Sequence, residues 1–191
     1  MRLLNAATLQ LELFPDPASV PDAVPYAILS HTWEIDEVTF NDIKELALSR
    51  ARLGFGKSNL AKSKLRGFAK IQSACEITLR HGLAYIWIDT CCIDKSSSAE
   101  LSEAINSMFR WYRHAAVCFA FLADFPNGST VAKSLASCRW FTRGWTLQEL
   151  IAPHTVIFVD KAWAPVGTKA DLGLAIEAIT NIDQTILDGS E

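Results

Sequence analysis

One stretch of the chain combines side chains that could do chemistry on a ligand that is both aromatic and anionic. The run Arg139–Pro153 reads RWFTRGWTLQELIAP. Its two tryptophans can wall an aromatic slot, and its two arginines can hold anionic groups. Glu149 is the only carboxylate in the run. A surface helix does not need this mixture, so we expect the run to form part of a binding or catalytic pocket.

The composition limits what kind of protein can present such a pocket. The chain has 191 residues, half of them hydrophobic, and a formal charge of −3. This length fits one domain that buries roughly 70% of its unfolded surface. Because the chain has no excess of basic residues to attract a phosphate backbone, we expect no nucleic acid partner.

Cysteine usage and hydropathy predict a cytoplasmic protein without a membrane span. The five cysteines are an odd number with no C-x-x-C spacing, and no secretory leader is apparent. The longest apolar stretch, 115–123, is far shorter than the run of about 20 residues that crosses a bilayer. The four histidines are too scattered to indicate a zinc site, and we predict no metal.

Hydrophobic periodicity and capping residues predict alternating strands and helices. Strands are predicted at 9–15, 26–30, 83–88, 116–122 and 155–159, and helices at 39–53, 59–81, 97–112, 145–151 and 168–179. Polar loops are predicted at 89–95 and 124–130. This order predicts an α/β fold with a mostly parallel sheet and helices on both faces.

The predicted topology indicates where a ligand would bind. In open α/β sheets, ligands bind at the carboxyl ends of the strands. The segments expected there are Ser30–Trp33, Asp89–Lys95, Asp124–Gly128 and the stretch leading into Trp145–Glu149. Three of these four segments carry polar and aromatic residues that packing alone does not require.

Four sequence blocks resemble the motifs of a known family. The blocks are YAILSHTW (26–33), WIDTCCIDK (87–95), EAINSMFRWYR (103–113) and GWTLQEL (144–150). They resemble, in the same order, the motif blocks of the fungal heterokaryon incompatibility (HET) domain. The resemblance covers about residues 1–160 and is closest to the N-terminal domain of incompatibility receptors that also carry NACHT and WD-repeat domains.

The resemblance implies both an architecture and a biological role. Residues 1–191 would form a single HET domain of TIR-like, flavodoxin-like fold, the N-terminal effector part of a longer receptor. NACHT and WD-repeat domains would follow in the same chain. The domain would act in the cytoplasm in fungal innate immunity, triggering programmed cell death when the receptor clusters and its copies self-associate.

The relation of HET domains to TIR domains implies an enzymatic activity. Residues 145–150 are similar to the Trp-Cys-x-x-Glu-Leu segment of plant-type TIR domains, whose glutamate is the catalytic residue of an NAD hydrolase. This role carries over to Glu149. The chain has Thr146 in place of the cysteine, and its loop His31–Trp33 differs from the Arg-Gly-Glu-Asp loop of plant TIR domains.

The resemblance also implies roles for the surrounding residues. NAD or a related nucleotide would be the substrate, and no cofactor is expected. Arg143, or alternatively Arg139, would hold the pyrophosphate, and a tryptophan would stack on a ring of the substrate. Trp140 is expected to be a packing residue. The predicted substrate-binding residues are Ser30, His31, Trp33, Asp89, Arg143 and Trp145.

Three alternatives remain open from the sequence. The domain can be a non-catalytic signalling module that kills by self-association or recruitment, with its tryptophans forming an exposed interface. Cys91 or Cys92 can be a nucleophile activated by His31, which would make the domain a thiol hydrolase. Glu149 can also be an ordinary solvated helix residue. Asp94 and Lys95 are expected to have structural roles.

Overall fold

A computed structural model describes residues 1–20, 22–53, 64–126 and 131–188. Its contacts divide the chain into two compact units. The N-terminal unit comprises Met1–Ala27 and Trp33–Met108. The C-terminal unit comprises Ile28–Thr32 and Phe109–Glu191. Each unit is described by itself below.

The described parts of the chain contain both strands and helices, some of which follow an element of their own kind. The strands are β1 (Arg2–Asn5), β2 (Leu11–Leu13), β3 (Tyr26–His31), β4 (Tyr85–Trp87), β5 (Val117–Leu122), β6 (Val156–Asp160) and β7 (Pro165–Thr168). The helices are α1 (Phe40–Leu53), α2 (Leu65–Arg80), α3 (Asp89–Cys92), α4 (Ser98–His114), α5 (Val131–Ser137), α6 (Thr146–Ile151), α7 (Gly173–Thr180) and α8 (Gln184–Asp188). Short 3-10 helices lie at Pro17–Ser19 and Arg139–Thr142.

The sheet confirms the predicted α/β class. Within the described ranges, seven strands follow the order β2-β1-β4-β3-β5-β6-β7. The sheet is mixed: β5 and β6 pair in parallel, whereas β1 pairs antiparallel with β2 and β4, and β7 pairs antiparallel with β6. No helix among the described residues is long and apolar enough to cross a membrane.

Helix α2 shows how the sequence builds the N-terminal unit. Its buried side faces inward through Ile71, Cys75 and Thr78. Gly82 ends the helix at φ +74°, a left-handed conformation that glycine adopts without strain, as the sequence predicts. The predicted helix begins at Asn59, and the part before residue 64 lies outside the described residues.

In the C-terminal unit, the apolar run that predicted a central strand forms β5. All six of its side chains are buried, and its neighbour β6 pairs with it from Cys118↔Val156 to Leu122↔Asp160. Helix α6 precedes β6 in the chain and ends before Pro153. Because proline lacks an N–H and restricts the preceding residue, it separates the helix from the strand.

Several boundaries and one helix face differ from the sequence-based prediction. Residues 89–92 form the short helix α3, where a polar turn was predicted, and β1, β7, α5 and α8 were not predicted. In α4, apolar periodicity predicts one buried stripe through Leu101, Ile105, Met108 and Tyr112. Tyr112 is buried as predicted, but Ile105 is 45% exposed, and Ala104 and Trp111 are buried instead. A helix with large apolar residues on more than one side does not reveal its buried face by periodicity alone.

Two of the predicted helices begin at Ser97 and Thr168, and the capping boxes at these positions are present in altered form. Ser97 Oγ accepts a hydrogen bond from the Glu100 N–H at 3.3 Å, but the Glu100 carboxylate bonds to the Asp94 N–H at 2.8 Å and to Arg2. Thr168 and Asp171 bond reciprocally, yet α7 begins only at Gly173. The partners of a capping carboxylate depend on which donors the fold brings near it.

A close backbone approach makes Gly67 a testable packing position. A Cβ at Gly67 would lie 2.1 Å from the carbonyl oxygen of Asp36. Helix propensity alone favours alanine by about 1 kcal/mol. Because backbone would have to move, we expect Gly67→Ala instead to lower the free energy of unfolding by about 2 kcal/mol in urea denaturation.

The matched control is another glycine in a helix. A Cβ at Gly173 would meet its nearest neighbour, Gln184 Oε1, at 3.7 Å, an ordinary contact. Gly173→Ala should therefore leave the stability unchanged or raise it. Equal unfolding midpoints for wild type and Gly67→Ala would contradict the proposed close approach.

Candidate active site around Glu149

Glu149 occupies a buried position in the first turn of helix α6. Only 4% of the residue is exposed. The helix is anchored at its start by the Thr146 hydroxyl, which donates to the carbonyl of Trp140, and the Glu149 N–H donates to the carbonyl of Trp145 at 3.3 Å. The alternative of a solvated helix glutamate is therefore wrong.

Two side chains donate hydrogen bonds to the carboxylate of Glu149. The hydroxyl of Ser30 in β3 donates to Oε2 at 2.5 Å. The guanidinium of Arg143 donates from Nη1 to Oε2 at 3.1 Å and from Nη2 to Oε1 at 3.5 Å. The side chain of Arg143 is 22% exposed, so it connects a buried carboxylate to the surface. The structure thus brings together three of the predicted site residues.

Trp140 completes this group, although the sequence indicated only a packing role. The residue is fully buried, and its indole ring packs edge-on against Phe141 and Phe158, with centroid distances of 4.8 and 5.5 Å. Its indole N–H also donates to Ser30 Oγ at 2.7 Å. A buried tryptophan N–H needs an acceptor, but the sequence does not show which acceptor the fold supplies.

The other predicted residues of the C-terminal unit differ in accessibility. His31 is 2% exposed, next to Ser30 in β3. Trp145, at the start of α6, is 49% exposed. Arg139, the alternative to Arg143 as a phosphate ligand, pairs with Asp124 through Nε at 3.3 Å. Its guanidinium therefore already has a carboxylate partner.

The interior of the C-terminal unit also contains a buried lysine near α6. Lys169 is 6% exposed and donates from Nζ to the carbonyl oxygens of Leu150 at 3.3 Å and Pro153 at 2.7 Å. These carbonyls belong to the C-terminal end of α6 and the turn after it. A cation at this end of a helix satisfies carbonyls that have no intrahelical partner.

The N-terminal unit brings two further predicted residues together. The indole N–H of Trp33 donates to Asp89 Oδ2 at 2.8 Å, and the Lys95 ammonium lies 3.5 Å from the centroid of the Trp33 ring. Trp33 nevertheless remains 52% exposed. Burial lowers the pKa of Lys95, and the nearby Asp89 partly offsets this effect. Asp94 accepts hydrogen bonds from Ser96, which hold the pKa of its carboxyl below the usual range.

The cysteines do not fit the thiol hydrolase alternative. All five are buried. A hydrogen bond with Cys92 and, as the second cause, burial raise the pKa of the Cys91 thiol well above its usual range. Burial raises the pKa of Cys75 to about 12. Such thiols stay protonated near neutral pH, whereas a nucleophile must be a thiolate. In the described parts of the chain, no group of three His, Cys, Asp or Glu side chains is placed to hold a metal ion.

Thiol labelling provides a direct measurement of this protection. We expect the native protein to react with Ellman's reagent at pH 7.5 only slowly, because all five thiols are buried. The same protein in denaturant should release the signal of all five thiols at once. Rapid labelling of one native cysteine, with loss of activity, would restore the nucleophile hypothesis.

The pair Arg143–Glu149 predicts a specific pattern of stability changes. Arg143→Gln removes a charged donor from a buried carboxylate and should lower the free energy of unfolding by about 2 kcal/mol. The double variant Arg143→Gln/Glu149→Gln removes the unpaired charge and should recover part of this loss. Urea denaturation of the single and double variants measures the coupling, and strictly additive changes would contradict a direct pair.

Comparisons with known proteins agree with the motif blocks. The model of the heterokaryon incompatibility protein (HET) family matches residues 26–127, more than half of the chain. The chain is also 45% identical, over 175 residues and 87% of its length, to the vegetative incompatibility protein HET-E-1 of Podospora anserina. It spans only 12% of the length of that protein.

The two matches cover different parts of the site. The family model ends before the run Arg139–Pro153. The match to the incompatibility protein covers 87% of the chain, so the part that it leaves out is too short to reach positions 140–149 from either end. No solved structure shows significant similarity to the chain. The family match and the 45% identity confirm the relationship predicted from the motif blocks: the chain belongs to the heterokaryon incompatibility (HET) protein family.

Proposed function

We propose that the chain is a cell-death effector domain of a fungal incompatibility protein that cleaves NAD, with Glu149 as the catalytic residue. The biological part of the proposal is supported by the family membership and by the similarity to an incompatibility protein. The chemical part is supported by one observation above all: a buried glutamate carboxylate fixed by Ser30 and Arg143.

The reaction needs little from the protein beyond a well-placed negative charge. The bond between the ribose C1′ and the nicotinamide nitrogen breaks, and its electrons leave with the nicotinamide as a neutral base. Water then bonds to C1′ and releases one proton, giving ADP-ribose or, with an internal nucleophile, a cyclic product. A carboxylate beside the ribose stabilises the oxocarbenium-like centre, as in glycoside hydrolysis. No general acid is needed, so a single glutamate suffices.

The burial of Glu149 suits this role. A carboxylate that is largely shielded from water interacts more strongly with a developing positive charge than one in solvent. Its donors fix its orientation before the substrate arrives, so little reorganisation is needed during the reaction. Glu149 can also hold the ribose hydroxyls, as carboxylates in glycosidases do.

Arg143 has a second role in this proposal. Its guanidinium bonds to Glu149, and its partial exposure lets an anionic group reach it. The pyrophosphate oxygens of NAD can accept two parallel hydrogen bonds from one arginine guanidinium. Binding of the pyrophosphate would draw Arg143 away from Glu149 and leave the carboxylate available to the ribose. His31, Trp33, Asp89 and Trp145 stay predicted substrate contacts.

The cellular context is part of the same proposal. The chain spans 12% of the length of its incompatibility relative, which is a much longer protein. We propose that it is the N-terminal effector domain, that NACHT and WD-repeat domains follow it, and that the receptor clusters the domains in the cytoplasm. Self-association then raises the activity.

A second function, signalling without catalysis, is favoured by a different observation. Trp145 and Leu147, at the start of α6, are each 49% exposed. Exposed aromatic and aliphatic side chains are compatible with a contact surface. The complete burial of Trp140, in contrast, excludes it from the exposed tryptophan interface that this alternative predicted.

The test is nicotinamide release by the clustered domain. The purified domain, fused to a multimeric scaffold, is incubated with NAD, and nicotinamide is measured by chromatography. We expect turnover by the wild type and a loss of at least roughly 100-fold in Glu149→Gln, because the charge that stabilises the transition state is removed. Glu103→Gln, at an exposed position of α4, is the matched control and should keep full activity.

Two outcomes would contradict the enzymatic proposal. One is unchanged NAD under clustering, and the other is equal turnover by wild type and Glu149→Gln. Cell death that persists in Glu149→Gln but is lost in the double variant Trp145→Ala/Leu147→Ala would instead support the signalling function.

A further inference from the structure

The hydroxyl of Ser30 lies between two buried side chains of the C-terminal unit. It is 2.7 Å from the indole nitrogen of Trp140 and 2.5 Å from Oε2 of Glu149. Ser30 and Trp140 are completely buried, and Glu149 is 4% exposed. The three groups therefore form a short chain of hydrogen bonds inside the protein.

The chemistry of the three groups fixes the direction of this chain. An indole N–H can only donate, so Ser30 Oγ must be the acceptor in its bond with Trp140. A serine hydroxyl has one proton, and its other side-chain partner among the described residues, Glu149 Oε2, is an acceptor. The proton of Ser30 consequently points at Glu149.

We propose that Ser30 and Trp140 are positioning residues, and that Oε1 of Glu149 is the oxygen that faces the substrate. The proposal rests on the proposed NAD hydrolysis for its catalytic consequence. It changes the predicted role of Ser30, because a completely buried hydroxyl whose proton is already donated to Glu149 is not placed to contact a substrate. It also gives Trp140 a polar role.

The two carboxylate oxygens are in unequal positions. Oε2 accepts hydrogen bonds from Ser30 and from Arg143 Nη1 at 3.1 Å. Oε1 accepts, among the described residues, only the 3.5 Å bond from Arg143 Nη2. If Arg143 turns to an anionic group, Oε1 loses this partner, while Ser30 still holds Oε2. One oxygen then anchors the carboxylate and the other can approach the ribose.

The rigidity of Trp140 gives the chain its positioning effect. Its ring packs against Phe141 and Phe158, so the indole cannot rotate without disturbing the core. Ser30 is fixed by its place in the fully buried strand β3. The orientation of Glu149 is thus set by groups on β3 and on the 3-10 helix Arg139–Thr142, as well as by its own helix.

The first experiment reads the hydrogen-bond chain by NMR, independently of activity. The chain has six tryptophans, so a ¹⁵N-labelled sample should show six indole N–H signals, with that of Trp140 assigned by its loss in Trp140→Phe. We expect Ser30→Ala to shift this signal and to speed its exchange with solvent. Glu149→Gln should shift it through Ser30. The signal of Trp33, which bonds to Asp89, is the internal control and should not move.

The second experiment measures kcat and KM for NAD cleavage by variants of the clustered domain. In Ser30→Ala we expect kcat to fall roughly 10- to 100-fold, the loss typical of a buried hydrogen bond to a charged group, with KM unchanged. Ser30→Thr, which keeps the hydroxyl, should recover much of kcat. Trp140→Phe should lower kcat in the wild-type background but have no further effect in Ser30→Ala, because Trp140 acts through Ser30.

The results separate this inference from the proposed function. If the chemical shift and the exchange rate of the Trp140 indole N–H are unchanged in Ser30→Ala, the proposed hydrogen-bond chain is wrong, whether or not the domain cleaves NAD. A raised KM with unchanged kcat in Ser30→Ala would show that Ser30 binds substrate and would also overturn the inference. An inactive wild type with the expected NMR shifts contradicts NAD cleavage alone and leaves the hydrogen-bond chain supported.

Discussion

The buried carboxylate of Glu149 is the constraint on which the local arrangement of the C-terminal unit depends. A carboxylate that loses contact with water must receive hydrogen bonds, because an unpaired buried charge costs several kcal/mol. The donors come from β3 and from the segment before α6, which are far apart in the sequence. The strand, the 3-10 helix and α6 must therefore be correctly placed before Glu149 can be accommodated.

The same requirement explains the unusual composition around Glu149. Trp140 belongs to the 3-10 helix, and its buried indole supplies the donor that orients Ser30. Arg143 neutralises the carboxylate and reaches the surface, so a ligand can compete for it. Lys169 holds the carbonyls that follow α6, which fixes the other end of the helix. These side chains, which a surface helix would not need, are thus explained as groups that stabilise one buried charge.

The burial of the Glu149 charge costs desolvation free energy, and this cost is consistent with a functional requirement for a carboxylate at this position. An apolar residue at position 149 would need neither Ser30 nor Arg143 as a donor, and replacing a buried ion pair by apolar residues is often neutral or stabilising. Proteins keep such groups where a site requires them, and perturbed or buried charged residues are concentrated at functional sites. The exposed Trp33, held by Asp89 and Lys95, is a second place where ordinary packing does not account for the residues.

The sequence alone determined the family, the α/β class and most strands and helices, and it singled out Glu149 as the candidate catalytic residue, because motif order, apolar periodicity and capping residues are local properties of the chain. It predicted Ile105 of α4 on the apolar side of the helix, where the residue is 45% exposed, and it missed the short strands β1 and β7, whose patterns are weak. Only the tertiary structure decided that Trp140 bonds to Ser30, that Arg139 pairs with Asp124, and that Glu149 is buried. Ser30 is 110 positions from Trp140 and 119 from Glu149, and hydrogen bonds over such separations are set by the packing of the elements rather than by any local pattern.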